Sequence, residues 1–326
     1  MGKGKENFDI NWQCGLDRSF LHPGFPHNMT RIDTITVIAP GLLGASLAFA
    51  SRERGMVGRV KVWARRAEVL EACRTRPWCD SVHADLGDAV ADADMVWICA
   101  PVGRIAGLAE QAAPFLKPGA IVSDVGSTKA ELHGAIDRIR MPEESVYVGS
   151  HPMAGSEKSG FEYADARLFE GRPCFVTEGD APNRKATEAV EDFWTGLGMR
   201  VTRTTPQLHD RMVAWLSHVP HLTAVGLSRT LAAAMPEEWM QYAGPGLRDT
   251  TRVASGSVEM WRDILDQNRI EIGSALSQVI TTLQGFERAL KAGESDALVE
   301  HLTRAKAFRD ALGQFVGPST PPVGPE

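Results

Sequence analysis

Ile35-Thr36-Val37-Ile38-Ala39-Pro40-Gly41-Leu42-Leu43-Gly44-Ala45-Ser46-Leu47-Ala48 is the stretch that decides the fold. A β-branched apolar run, a glycine turn and a run of small helix formers, in that order, open a βαβ unit. The helix that follows such a turn points its free N–H groups and positive dipole end at a phosphate. Gly41 lets a pyrophosphate approach the backbone, and Gly44 lets the helix lie close to the strand. Gly41, Leu42, Leu43 and Gly44 are therefore expected at a dinucleotide. Ala39 stands where a first glycine is usual, and alanine serves there provided its φ is negative.

The next strand is Arg59-Val60-Lys61-Val62-Trp63. It ends about 20 residues past the turn, where an NAD site places a carboxylate for the ribose 2′-hydroxyl. Here the chain has Ala64-Arg65-Arg66 and no acid before Glu68. Two guanidiniums where a 2′-phosphate lies favour NADP, with NAD as the alternative if Arg65 and Arg66 only begin a solvated helix. Met95 to Ala100 runs into Pro101, and Ala120-Ile121-Val122-Ser123-Asp124 runs into Gly126-Ser127. Both read as strands ending in loops, which puts Pro101 and Asp124 at the cofactor and Ser127 beside it. Taken singly, Asp124 or Ser127 is as well read as a helix cap.

Val146-Tyr147-Val148 precedes Gly149-Ser150-His151-Pro152-Met153-Ala154-Gly155-Ser156-Glu157. In an open parallel α/β sheet, ligands sit beyond the carboxyl ends of the strands, so a histidine in a turn there is a candidate acid or base. Pro173-Cys174-Phe175-Val176-Thr177 and Met199-Arg200-Val201-Thr202 complete the strands. The expected fold class is α/β: a Rossmann-like doubly wound domain over 31–204, then an all-α domain over 205–313. Residues 1–30 read as an irregular extension and 314–326 as a Pro-rich tail.

In the helical part, Asp210, Ala214, Ser217 and His221 fall on one helix face, with Ser217 and His221 one turn apart. Pro220 interrupts the hydrogen-bond ladder beside them. Asp249 and Arg252 are also one turn apart, which allows Asp249 to hold Arg252 while its guanidinium grips a carboxylate. The plainer alternatives are a core histidine and a surface ion pair.

The bulk properties fit a small-molecule enzyme. The chain has 326 residues, 43% hydrophobic, enough for two domains with substantial cores. Net charge is −6 and the isoelectric point about 5.9, which gives no electrostatic case for nucleic acid or an anionic membrane. Five cysteines without a Cys-x-x-Cys pair suggest neither a disulfide framework nor a zinc site, so no metal is expected. With no apolar run of about 20 residues and no signal-peptide pattern, the expected location is cytoplasmic.

The turn at Gly41-Leu42-Leu43-Gly44, the Asp124 to Lys129 loop, Gly149 to Glu157, Ser217-His218-Val219-Pro220-His221, and Arg248 to Arg252 with Met260-Trp261-Arg262-Asp263 occur in one order. Together they resemble the prephenate and arogenate dehydrogenases of tyrosine biosynthesis. The resemblance implies a nucleotide-binding domain and a helical domain that forms a homodimer, with the active site between them. It implies that His151 bonds the substrate's ring hydroxyl with help from Ser127. It also implies that Ser217, His221 and Arg252 line the substrate pocket, with Asp249, Glu157 and Trp261 in the same set.

The implied reaction is oxidation of prephenate to 4-hydroxyphenylpyruvate and CO2, with hydride passing to NAD(P)+. Arogenate oxidation to tyrosine is the neighbouring alternative, and a non-catalytic NADP-binding protein is the alternative from another class. The Ala39 and Arg65-Arg66 departures from the pattern bear on the cofactor.

Overall fold

The computed structural model describes residues 31–155 and 160–315. The expected extension over 1–30, the tail beyond 315 and Glu157 lie outside them.

The first half alternates strand and helix: β1 (Ile32–Ile38), α1 (Leu42–Glu53), β2 (Val57–Trp63), α2 (Ala67–Arg74), β3 (Ser81–His83), α3 (Leu86–Val90), β4 (Met95–Ile98), α4 (Val102–Ala112), β5 (Ile121–Asp124), α5 (Ala130–Ile136), β6 (Val146–Pro152), β7 (Pro173–Thr177), α6 (Arg184–Gly196) and β8 (Arg200–Thr204). The eight strands form one sheet in the order β3-β2-β1-β4-β5-β6-β7-β8. Strands β1 to β6 run parallel; β7 is antiparallel to β6 and parallel to β8. Chain order reverses between β1 and β4, the switch point where a doubly wound sheet opens a crevice at its carboxyl edge.

Helices on both faces explain why β4, Met-Val-Trp-Ile, is buried at every position. On one face Trp97 packs against Phe193 and Trp194, with ring centroids 4.6 and 5.1 Å apart. On the other, Ile38 and Ile98 share a core with Ile105 of α4.

The β6 strand corrects one expectation. His151 does not sit in a turn after Val148, because β6 continues to Pro152 by pairing antiparallel with β7, His151 opposite Phe175. Its backbone is therefore pinned on the β7 side rather than free in a loop.

After Thr204 the chain is helical: α7 (Pro206–Val213), a π-helical turn over Ala214–His218, α8 (Val219–Ala234), α9 (Pro245–Thr251), a 3-10 turn over Arg252–Ser255, α10 (Val258–Gln267), α11 (Arg269–Ala292) and α12 (Ser295–Phe315). The Thr205 hydroxyl accepts the Leu208 N–H at 3.2 Å and Pro206 takes the first position, so α7 starts sharply. Besides its helical neighbours, α7 packs on α5 and β7 of the sheet half, while α10 lies on α4. Gly103 shows how closely: a Cβ there would come 2.6 Å from the Asp263 carboxylate. Among the described residues no helix is long and apolar enough to cross a membrane.

Candidate active site

A cavity of about 850 Å³ opens at the carboxyl ends of β1, β2 and β4. Gly41, Arg65, Arg66 and Pro101 line it, as expected, and Glu259 of α10 reaches it from the helical half. Gly41 caps the N-terminus of α1 with an ordinary φ of −76°, and a Cβ there would meet no protein atom within 4 Å. Neither strain nor packing requires that glycine; what its missing side chain keeps clear is the cavity side of a helix N-terminus, a phosphate cradle. Gly44 is demanded by packing, since a Cβ would lie 2.8 Å from Cys99 Cβ and 3.0 Å from Val37 Cγ1. Leu42 and Leu43 open α1 half-buried, outside the cavity lining.

Ala39 departs from expectation, with φ +60° instead of a negative value. The tight geometry explains it: its N–H is held by the Trp63 carbonyl at 2.9 Å while its own carbonyl accepts the Gly41 N–H at 2.8 Å.

Asp124 also departs. It does not line the cavity but is fully buried, ion-paired with the equally buried Lys129 at 2.5 Å. Its carboxylate also accepts the Gly126 N–H at 2.6 Å, the Tyr147 hydroxyl at 2.8 Å and the Ser150 N–H at 3.1 Å. A buried carboxylate with this many donors is a local scaffold that ties β5 to β6 and shapes the loop carrying Ser127. Ser127 itself is half-buried at the mouth of that loop.

His151 is 8% exposed, and its Nδ1 lies 2.9 Å from Nε2 of His209. The Nδ1 of His209 lies 2.7 Å from Oδ1 of Asp210. Asp210 in turn accepts the backbone N–H groups of Lys129 and Ala130 at 2.8 and 2.9 Å, which brings α7 onto the start of α5. The edge of the His209 ring packs on Phe175 of β7, centroids 5.3 Å apart. Burial pushes the pKa of both His151 and His209 well below the usual histidine value, with the neighbouring ring and Lys129 adding to it at His151. Both rings are therefore neutral at pH 7. Burial lifts the Asp210 carboxyl above the ordinary value, while the two amide donors and Lys129 pull it back.

On the helical side, His221 is buried and stacks flat on Trp261, centroids 3.5 Å apart and 7° between planes. Its Nδ1 has no hydrogen-bond partner among the described residues. Ser217, one turn earlier, is half-buried. The π-turn between Asp210 and His221 swings a further residue inward, His218, which packs edge-on against Trp261. The Asn268 amide donates to the Asp210 carbonyl at 2.8 Å and lies 3.1 Å from Nδ1 of His218, whose pKa burial lowers to about 4. Sequence reasoning passed over His209, His218 and Asn268.

Asp249 and Arg252 do not form the expected pair. Both are exposed with no ion pair between them among the described residues, because α9 ends at Thr251 and Arg252 begins the 3-10 turn. That turn packs on α8, which carries His221.

Both halves match family models. One described as the nucleotide-binding domain of prephenate dehydrogenase covers residues 47–203, and one described as its dimerization domain covers 205–304. The cyclohexadienyl dehydrogenase of Zymomonas mobilis is 30% identical over 287 residues, 87% of this chain and 97% of that protein. The prephenate dehydrogenase of Bacillus subtilis is 30% identical over 287 residues, 86% of this chain and 76% of its own.

Among solved structures, prephenate dehydrogenase from A. aeolicus in complex with hydroxyphenyl propionate and NAD+ aligns with a TM-score of 0.81 at 27% identity, over 87% of this chain and 100% of that one. Synechocystis arogenate dehydrogenase aligns with a TM-score of 0.75 at 26% identity, over 86% and 99%. With both halves matched in one order and a relative covered nearly end to end, this chain belongs to the prephenate dehydrogenase family and is an NAD(P)-dependent dehydrogenase.

Proposed function

We propose that the protein oxidises prephenate to 4-hydroxyphenylpyruvate and CO2, with NADP+ as the preferred acceptor and His151 as the base. The observation that carries this is the placement of a neutral, anchored His151 at the same carboxyl edge of the sheet as the cavity lined by Gly41, Arg65 and Arg66. A bound nicotinamide supplies the hydride acceptor.

The chain's own residues do the rest. His151 accepts the hydrogen bond of the ring hydroxyl and takes its proton as the carbon becomes a carbonyl, a contribution of roughly 10²–10⁴ in rate. Loss of the ring carboxylate as CO2 then sends its bonding pair into the ring, which becomes aromatic, and the phenolate oxygen takes the proton back from His151. Ser127, at the end of β5, assists at the hydroxyl. Ser217, His221 and Trp261 form a wall of the substrate pocket, and Arg252 anchors a substrate carboxylate. Arg65 and Arg66, both exposed at the cavity, face the 2′-phosphate that distinguishes NADP from NAD. The helical half pairs with a second copy, in keeping with its match to a dimerization domain.

The test is formation of reduced nicotinamide by the purified enzyme with prephenate and arogenate, each with NADP and NAD. Turnover of prephenate with NADP supports the proposal, and arogenate alone moves the substrate to its amino counterpart. Silence in all four pairings removes the catalytic reading. His151→Asn is expected to lower kcat far more than it raises KM, and Arg252→Ala chiefly to raise KM. Near-normal kcat in the first variant rules out the base.

A further inference from the structure

We propose that His209 and Asp210 are positioning residues that hold His151 as its Nδ1–H tautomer, leaving the Nε2 lone pair to meet the substrate hydroxyl. The inference rests on the reading of His151 as the base and adds what makes it one. In a neutral imidazole one nitrogen donates and the other accepts, and the partner of one nitrogen decides the role of the other.

The fixed end of the relay is Asp210. Asp210 faces two backbone N–H groups, Lys129 on Oδ1 and Ala130 on Oδ2, which can only donate. On the ionised carboxylate both oxygens only accept, so Nδ1 of His209, 2.7 Å from Oδ1, must carry a hydrogen to bond there. Nε2 of neutral His209 is then an acceptor. The atom facing it at 2.9 Å, Nδ1 of His151, must in turn be the donor. No hydrogen remains for Nε2 of His151. The opposite tautomer would aim an N–H at the hydroxyl, and an N–H cannot take its proton.

During turnover the hydroxyl O–H bond breaks and an Nε2–H bond forms on His151, while the C–H electron pair leaves as hydride to NADP+. The Nδ1–H stays on His151, donated to His209. The new imidazolium is then linked through one neutral ring to a carboxylate, an arrangement that orients and steadies it without a second transfer, as the aspartate of a serine protease triad does. The relay crosses the boundary between the sheet half and α7, so the base is correctly set only when the two halves are docked.

His209→Phe keeps a ring against Phe175 but offers no acceptor. It is expected to lower kcat by about 100-fold or more, with KM and the dissociation constant for NADP within about threefold of wild type. His209→Gln, whose side-chain carbonyl can accept the same hydrogen, is expected to recover at least about tenfold of that loss. A residue that only fills space would show no such rescue.

On the unmutated protein, nitrogen-15 spectra of labelled histidine read the tautomer directly. His151 is expected to show a protonated Nδ1 and a bare Nε2, and this measurement decides the matter if a variant does not fold. The proposal is overturned if His209→Phe keeps kcat within about threefold of wild type, or if the spectra place the hydrogen on Nε2. His151→Asn is the control that separates the two claims. If it keeps the wild-type rate, the base assignment itself fails; if it is inactive while His209→Phe is not, only the positioning role fails.

Discussion

Around the sheet, Ile35, Val37, Trp97 and Phe193 are fully buried and two large cores close over both faces. In the helical half, the core of its own is built on Ala214, Val219, Ile272 and Ala275, and Ile280, Leu283 and Leu290 of α11 stand open to solvent. Apolar burial at roughly 25 cal/mol per Å² is the main favourable term in folding, so the sheet half is largely self-sufficient. The helices draw their stability from docking on the sheet half and from whatever covers their apolar surface. The proposed active site sits where these two regimes meet: the sheet supplies a rigid cradle and His151, and the less self-sufficient helices supply His209, Asp210 and His221.

The largest effect is therefore expected from the exposed face. Ile280, Leu283 and Leu290 lie within about 80° of one another around α11, a stripe wide enough to pair with another helix. Leu283→Asp combined with Leu290→Asp is expected to weaken the proposed dimer by about a thousandfold or more, since apolar anchors replaced by charges cost several kcal/mol at an interface. Light scattering reads the mass, and the wild-type melting temperature should rise with protein concentration. An unchanged dimer in this variant, or concentration-independent melting, would show that the helical half needs no cover there.

The second effect compares buried histidines on the two sides. His133 on α5 and His218 in the π-turn both have their pKa lowered by burial from 6.5 to about 4. Between those values the unfolded chain binds protons that the folded chain refuses, so stability rises with pH across this window and is lost on acidification. At pH 5 each group is expected to cost about 2 kcal/mol relative to pH 7. Denaturant unfolding at the two pH values checks it. His133→Leu and His218→Leu should each flatten the slope by a similar amount, and if only one does, acid sensitivity belongs to one half alone.

A third effect is confined to the sheet half. Gly44→Ala would drive a methyl to 2.8 Å from Cys99 Cβ and 3.0 Å from Val37 Cγ1 in a packed core. The expected loss is about 2 kcal/mol, with α1 displaced and binding of the nicotinamide cofactor weakened in step. A variant as stable as wild type would mean the sheet half yields as readily as the helices.

The same division governs what could be read from the chain. Strands and the glycine turn announce themselves locally, through β-branched runs and through glycines between strand and helix, and the sheet half shows them where expected. His151 was conspicuous for the same reason, although its place inside β6 depends on pairing with β7, which no local pattern reveals. His209 was passed over because its partner lies 58 positions away in sequence. The adjacent pair His209-Asp210, one turn into a helix capped at Thr205, was the only hint. Helical periodicity placed Asp210, Ser217 and His221 on one face, but it assumed a regular helix, and the π-turn over Ala214–His218 brought in His218 as well. The Asp249 to Arg252 spacing failed similarly, because the α-helix gives way to a 3-10 turn between them.

The smallest expected effect tests a strained backbone position of the sheet half, the one beside the cavity. Ala39 sits at φ +60°, a left-handed conformation that costs an alanine roughly 1–2 kcal/mol and a glycine almost nothing. Ala39→Gly removes that cost but gives back about 0.4–1 kcal/mol through the larger freedom of glycine in the unfolded chain. The balance is a stabilisation of about 0.5 kcal/mol, measurable as a small rise in denaturant midpoint. Because Ala39 lines the cavity beside Gly41, affinity for the nicotinamide cofactor should stay level or improve slightly. If the glycine variant is instead less stable, the methyl must contribute packing that outweighs the strain. The sheet half would then be optimised even at a left-handed backbone position, which widens its contrast with the uncovered helices.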